Sequence, residues 1–148
     1  MSKKTICKNK KAFFSYEVIE RYVSGIVLVG SEVKSIKTNN VSILEAYCSV
    51  LNNELFIKGM NVSLYKEGGK YNNHEPLRVR KLLMKKKEIT RLSENSTKKG
   101  LTIIPLEVFI SSSGFIKIEI GLCKGKNLYD KKNTIKIRDL DREIKRNL

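Results

Sequence analysis

A chain of 148 residues with 41% hydrophobic residues is long enough for one domain with a buried core. Its formal net charge of +15 favours a polyanionic partner, with nucleic acid ahead of an anionic membrane. The sequence shows neither an apolar run that could span a bilayer nor the apolar core of a signal peptide, so we expect a cytoplasmic protein without a membrane partner.

The basic residues are concentrated in three segments. Residues 1–11 hold five lysines and no acid, residues 78–99 hold nine bases and two acids, and residues 124–148 hold nine bases and four acids. The rest of the chain is close to neutral. A merely solvated surface would spread its lysines more evenly, so this pattern indicates a binding footprint.

The first third of the chain predicts a strand that turns into a short helix. Aromatic and aliphatic residues at 13–22 suggest a helix over the end of a sheet, and residues 26–29 (Ile-Val-Leu-Val) are typical of a strand. Gly30 ends that strand, and Ser31 is a candidate helix cap. Glu32 then lies in the first helical turn, where an acid complements the helix dipole. Local physics alone favours a purely structural corner.

The middle of the chain predicts a hairpin, in which residues 46–51 and 54–59 flank Asn52 and Asn53. Residues 62–65 are expected to extend its sheet, and residues 66–75 form a polar loop that we expect to be mobile and to contain His74. Residues 86–99 predict the clearest helix, with Gly100 directly after it.

Two further strands are predicted at residues 101–110 and 116–122, joined by a turn at 111–114. Pro105 indicates an edge or a bulge in the first of them. Residues 124–148 carry one thin apolar stripe, so we expect a tail that is disordered until a partner receives it. The predicted division is a folded domain at 1–123 and a basic tail at 124–148.

About six strands with two or three short helices predict a mainly β fold. Without βαβ alternation, the natural candidate is a closed antiparallel β-barrel resembling the OB-fold, followed by the basic C-terminal tail. A β-sandwich is the alternative.

Catalytic signatures are missing from the sequence. His74 is the sole histidine, and the metal motif HExxH and the Walker loop do not occur. Cys7, Cys48 and Cys123 have no CxxC spacing, which argues against zinc and against a disulfide framework. We therefore expect no enzymatic activity, no catalytic residues, no metal and no cofactor.

Four motifs together resemble one family, small protein B (SmpB), the bacterial tmRNA-binding proteins. They occur in the expected order at residues 9–12, 30–35, 75–83 and 124–132, with the sequences NKKA, GSEVKS, EPLRVRKLL and KGKNLYDKK. Each motif is weak alone, but the ordered set is specific and covers nearly the whole chain.

The resemblance implies an oligonucleotide-binding barrel that binds the tRNA-like domain of tmRNA and delivers this RNA to stalled ribosomes for trans-translation. It also implies contact with the decoding centre and the mRNA channel, where the tail would fold as a helix. An elongation factor that carries aminoacyl-tRNA would be an indirect partner, and the protein is expected to be a monomer.

The resemblance also implies roles for individual residues. Those expected to bind RNA are Asn9, Lys10, Lys11, Glu32, Lys34, Ser35, Arg80, Lys81, Lys124 and Lys126. Those expected to act on the ribosome are Tyr129, Asp130, Lys131, Lys132, Lys136, Arg138, Arg142, Lys145 and Arg146. The sequence departs from the family at Phe13 and Phe14, where many members have Arg-His, and at Lys37 and Lys132, where arginine is usual.

Two other functions are compatible with the charge pattern. A structural RNA-binding protein, such as a ribosomal component, would use the same bases without a switchable tail. A protein of anionic membrane surfaces would use the basic stripe of the tail, but that stripe lacks Trp and Phe.

Overall fold

The computed structural model describes residues 3–69 and 73–125, and this part of the chain is mainly β with a few helices, as predicted. The strands are β1 Lys4–Lys8, β2 Tyr16–Ile26, β3 Val41–Ser42, β4 Tyr47–Leu51, β5 Glu54–Lys58, β6 Asn61–Val62, β7 Arg80–Leu83, β8 Thr102–Ile110 and β9 Ile116–Gly125. The α-helices are α1 Lys10–Ser15, α2 Gly30–Lys37 and α3 Lys86–Lys99, and a single 3-10 turn covers Lys66–Gly68.

Seven strands pair antiparallel in the order β1-β8-β4-β5-β7-β2-β9, and β8 pairs with β9 as well. The register between β2 and β9 is long, from Tyr16 opposite Gly125 to Gly25 opposite Lys117. Strands β3 and β6 form a separate two-stranded sheet. The expectation that residues 62–65 extend the hairpin's sheet is therefore wrong, because Val62 pairs with Val41 instead.

The predicted hairpin is confirmed as β4 and β5. Its turn residues Asn52 and Asn53 have φ values of 53° and 64°, the left-handed conformation that asparagine tolerates. The predicted helix at 86–99 is α3, which buries Ile89 and Leu92 and is followed by Gly100 with a φ of 66°. These elements were predictable because their residues encode local geometry directly.

Pro105 marks a bulge, the second of the two predicted possibilities. The register between β8 and β9 shifts between Pro105 and Glu107. The bulge divides the apolar residues of β8, because Ile104 and Leu106 join a small cluster with Ala12 and Cys123, whereas Val108 joins the main core. The bulge is the physical reason why the apolar residues of this strand do not share one face.

The N-terminal quarter of the described chain differs from the predictions. Residues 13–22 do not form one helix, since α1 ends at Ser15 and β2 begins at Tyr16. The strand predicted at 26–29 has already ended at Ile26, where pairing with β7 stops. The exposed Glu17, Ile19, Arg21 and Val23 show the alternation of a strand with one solvent-facing side.

Strand β1 was not predicted, and side-chain bonds to Glu107 help to hold it against β8. The Lys3 ammonium lies 2.9 Å from Glu107 Oε1, and the Thr5 hydroxyl donates to Glu107 Oε2 at 2.5 Å. These partners lie more than 100 residues apart in the chain. Such pairing carries no local sequence signal.

A salt bridge between Glu20 and Arg91 attaches α3 to β2. Arg91 donates to both carboxylate oxygens of Glu20, at 3.1 and 2.6 Å, and the Tyr22 hydroxyl donates to Glu20 Oε1 at 2.6 Å. The hydrogen bonds from Arg91 and then from Tyr22 lower the pKa of Glu20 to about 2. The Glu20–Arg91 pair therefore stays ionised at physiological pH and helps to hold α3 against β2.

Substitution at Gly59 should destabilise the fold more than substitution at Gly114. Both have positive φ, 78° and 92°, but a Cβ on Gly59 would lie 2.7 Å from the Glu45 carbonyl oxygen, whereas one on Gly114 would meet open space. We expect Gly114→Ala to cost about 1–2 kcal/mol from backbone strain, and Gly59→Ala about 1–3 kcal/mol more from the clash. Urea unfolding of both variants measures the difference, and equal losses would contradict this reading of the contact.

Candidate RNA-binding interface

The corner between β2 and α2 is closed by Glu32. The backbone N–H of Val29, the residue before the helix, donates to Glu32 Oε1 at 2.9 Å. The acid thus reaches back to satisfy a backbone donor at the start of the helix. The expectation that Ser31 caps α2 is wrong, because Ser31 already lies inside the first turn.

Two arginines hold the same carboxylate. Arg78 forms a bidentate pair with Glu32, with N–O distances of 3.1 and 2.6 Å, and Arg80 Nε donates to Glu32 Oε2 at 2.6 Å. Glu32 and Arg80 have no accessible surface, and Arg80 also donates to the carbonyls of Met60 and Pro76. This ionic cluster of Glu32, Arg78 and Arg80 joins α2 to β7 and to the segments on either side of the polar loop.

The charge state of the ionic cluster follows from its contacts. Burial by itself would raise the pKa of Glu32, but hydrogen bonds from Arg78, from the Val29 N–H and from Arg80 outweigh it and lower the pKa. The Glu32 carboxylate raises the pKa of Arg78, whereas burial lowers that of Arg80 despite the same partner. A guanidinium remains protonated even so, and the cluster therefore carries one more positive than negative charge.

His74 fastens the end of the polar loop to α2. Its Nδ1 lies 2.8 Å from Ser31 Oγ, and its Nε2 lies 2.9 Å from the carbonyl oxygen of Val62. Because a carbonyl only accepts, Nε2 carries a proton, and in the neutral ring Nδ1 accepts from the Ser31 hydroxyl. The side chain is buried, so His74 is packed against α2 rather than exposed in the polar loop.

Four of the residues expected to bind RNA are buried: Asn9, Glu32, Ser35 and Arg80. Asn9 caps α1 by accepting from the Ala12 N–H at 3.0 Å, and its amide donates to the carbonyls of Ile43 and Pro105. In this conformation these four side chains offer RNA little or no accessible surface, and their expected part in RNA binding stays a prediction. Asn9, Glu32 and Arg80 instead position the backbone around them.

The other expected residues within the described part remain accessible. Lys10, Lys34 and Lys124 are exposed, Lys11 is exposed beside Glu45 at 2.9 Å, and Lys81 is half-buried beside Glu54 at 2.7 Å. The Lys34 ammonium lies 5.4 Å from the centre of the Tyr65 ring. Lys126 and all nine residues expected to act on the ribosome fall outside the described residues.

The site residues that sequence reasoning missed are Arg78, Ser31 and His74. Arg78 had a detectable signal, since two arginines spaced two apart in an extended segment point to the same side. The Ser31–His74 contact had none, because its partners are 43 residues apart.

Cys48 and Cys123 are buried. Burial raises the pKa of Cys123 to about 11 and that of Cys48 still further, so these thiols stay protonated at neutral pH as small core residues. Within residues 3–69 and 73–125, no group of three His, Cys, Asp or Glu side chains is arranged to hold a metal ion. No helix in this same part of the chain has both the length and the apolar composition that crossing a membrane requires.

Comparison with known proteins gives one consistent result. The family model described as SmpB protein matches residues 6–148. An SsrA-binding protein of Cytophaga hutchinsonii is 53% identical over 139 residues, which cover 94% of this chain and 90% of that protein. One from Ligilactobacillus salivarius is 46% identical and covers 97% and 91%. A solved structure described as "tmRNA-SmpB: a journey to the center of the bacterial ribosome" superimposes with a TM-score of 0.69 at 36% identity, covering 86% and 88%.

Removing the charge of Glu32 should destabilise the protein strongly at neutral pH. We expect Glu32→Gln to lower the free energy of unfolding by about 3–5 kcal/mol at pH 7, because Arg80 would remain buried without its counter-ion. The matched control is Glu54→Gln, which breaks an exposed pair with Lys81 and should cost less than about 1 kcal/mol. Urea unfolding of the three proteins measures both losses.

The free energy of unfolding that Glu32→Gln loses should become smaller as the pH falls. Because the folded pKa of Glu32 lies below its ordinary value of 4.5, its contribution is complete above pH 4.5 and declines as the pH falls through the folded value. The difference between the parent protein and Glu32→Gln should therefore be constant near pH 7 and shrink below pH 4.5. A difference that stays unchanged down to pH 3 would contradict the lowered pKa.

Proposed function

The chain belongs to the SmpB family, and we infer that it binds tmRNA and brings this RNA to stalled ribosomes for trans-translation. The observation that carries the inference is the family match over residues 6–148, together with relatives named SsrA-binding proteins that align over nearly their full length. Its partners are tmRNA and the ribosome.

The described surface suits RNA at α2. This helix exposes Lys34 and Lys37, and neither forms an ion pair among the described residues. Its acid, Glu32, is fully buried and neutralised by arginines. A phosphate backbone approaching the helix would therefore meet cations without the repulsion of an exposed carboxylate. We assign direct RNA contacts to Lys10, Lys11, Lys34, Lys81 and Lys124, and we extend the assignment to Lys126.

We further propose that the large sheet closes into a barrel of the oligonucleotide-binding kind. The support is its pairing pattern, because β8 pairs with β4 on one side and with β9 on the other. Following the pairs from β8 through β4, β5, β7, β2 and β9 leads back to β8. Such barrels bind oligonucleotides in many proteins.

The division of work is also a proposal. Residues 1–123 would bind the tRNA-like domain together with Lys124 and Lys126 at the start of the tail. The rest of the tail at 124–148 would act in the decoding centre and the mRNA channel, where phosphate can pair with the basic side chains. The protein would work as a monomer in the cytoplasm, without enzymatic activity of its own. An elongation factor would meet it indirectly through the aminoacylated RNA.

Sequencing the RNA that co-purifies with the full chain tests the function directly. We expect tmRNA to be enriched over ribosomal RNA. Enrichment of ribosomal RNA alone would favour a structural ribosomal component instead.

Lys34→Ala should weaken binding of the tRNA-like domain and reduce its salt dependence. The loss of one phosphate contact lowers the slope of log K against log salt by about one unit. The control is Lys58→Ala, which removes a lysine from β5, outside the three basic segments. An unchanged slope for Lys34→Ala, with the parent slope reproduced by the control, would contradict the assignment at α2.

Truncation after Tyr129 should separate the two activities. We expect RNA affinity to remain nearly intact, because the lysines assigned to RNA lie before the cut, and we expect tagging of peptides on stalled ribosomes to disappear. A truncated protein that still tags peptides would contradict the role of the tail. One that unfolds would show that the proposed boundary of the folded domain is misplaced.

A further inference from the structure

A cleft of about 210 Å³ lies between α2 and the hairpin that joins β8 to β9. The helix contributes Val33 and Lys37, the segment before it contributes Ile26 and Leu28, and the hairpin contributes Gly114 and Phe115. None of these residues belongs to the RNA contacts assigned above. The volume is below the roughly 300–1,000 Å³ of pockets for drug-sized ligands, which suits a single flat ring system.

The backbone of Phe115 is held by hydrogen bonds, although the residue is 65% exposed. Its backbone N–H donates to Ser111 Oγ at 3.2 Å, and its carbonyl accepts from the Ser111 N–H at 2.8 Å. The Gly114 N–H donates to the Ser111 carbonyl at 2.9 Å, which completes the turn. A large apolar ring is therefore presented to solvent on an ordered backbone, next to the surface proposed to bind RNA.

The charge around the cleft has one sign. Lys37 is the sole charged side chain among the residues that line it, and Lys37 forms no ion pair within the described residues. Lys34 lies one helical turn earlier, with the Tyr65 ring beside it. Lys34 of α2 therefore has the Tyr65 ring beside it, and Lys37 of α2 lines the same cleft as Phe115.

We propose that the cleft between Phe115 and Lys37 receives one unstacked nucleobase of tmRNA, with the base stacked on the Phe115 ring and Lys37 on an adjacent phosphate. The proposal rests on the proposed function and deepens it. An aromatic ring beside a lysine is the arrangement that proteins use for unstacked bases, since the ring takes the base and the cation takes the backbone. We choose tmRNA as the source because the cleft adjoins α2.

The first test compares binding of the isolated tRNA-like domain by full-length variants. Loss of one base stack should make Phe115→Leu bind about five-fold or more weakly, and Phe115→Trp should bind like the parent. The salt slope should stay unchanged for Phe115→Leu, because stacking releases no counter-ions, and should fall by about one unit for Lys37→Ala. Leu51→Ala, which truncates an exposed residue at the end of β4, outside the cleft, should have no effect.

The second test uses fluorescence. The chain contains no tryptophan, so Phe115→Trp introduces a unique fluorophore at the proposed site. Stacking of a base on the indole should quench its emission when the tRNA-like domain is added, whereas Leu51→Trp should show no quenching. Equal quenching at both positions would overturn the proposal.

The possible failures are distinguishable. If Phe115→Leu binds like the parent while Lys34→Ala binds weakly, this inference is overturned and the proposed function stands. If neither substitution affects binding, the proposed RNA surface at α2 fails as well. If Phe115→Leu binds tmRNA normally but loses peptide tagging, the cleft serves the ribosome, and the assignment to tmRNA is wrong.

Discussion

The buried carboxylate of Glu32 is the constraint on which the corner of this molecule depends. A carboxylate without accessible surface is tolerable only when its charge and its lone pairs are satisfied, and here two guanidinium groups and one backbone N–H do so. Those donors come from β7, from the segment before it and from the start of α2. The ionic cluster therefore fixes the relative placement of three chain segments through a single side chain.

The burial of Glu32 between two arginines affects the charge that α2 would present to RNA. The ionic cluster places a net positive charge beneath α2, and the exposed lysines of the helix add to the same potential. Since the helix, the His74 side chain and the backbone of Phe115 are already held by internal bonds, ordering them upon binding would cost little conformational entropy. The acid that looks unsuited to an RNA-binding motif is thus a structural part of a cationic surface.

The sequence predicted those parts of the fold whose geometry is encoded locally. The Asn52-Asn53 turn and the helix ended by Gly100 were both confirmed. Strand β1 was missed because its partners are distant, and the length of β2 was misjudged because aromatic residues at 13–22 suggested a helix. The motifs pointed to the corner at α2, but burial of Asn9, Glu32, Ser35 and Arg80 depends on tertiary packing, which a linear motif does not reveal.

The pairing of Tyr16 with Gly125 has a consequence for how two binding events would be coupled. This pair fixes the start of the basic tail at the end of β9, beside exposed Lys124. Under the proposed division of work, a folded domain bound to tmRNA would hold the tail on a short tether from a fixed origin. Tail engagement then becomes intramolecular, and its strength is set by an effective concentration, in the millimolar range for short flexible linkers, rather than by the abundance of the protein. A weak tail interaction would suffice, and it would be effective only where the RNA has already been delivered.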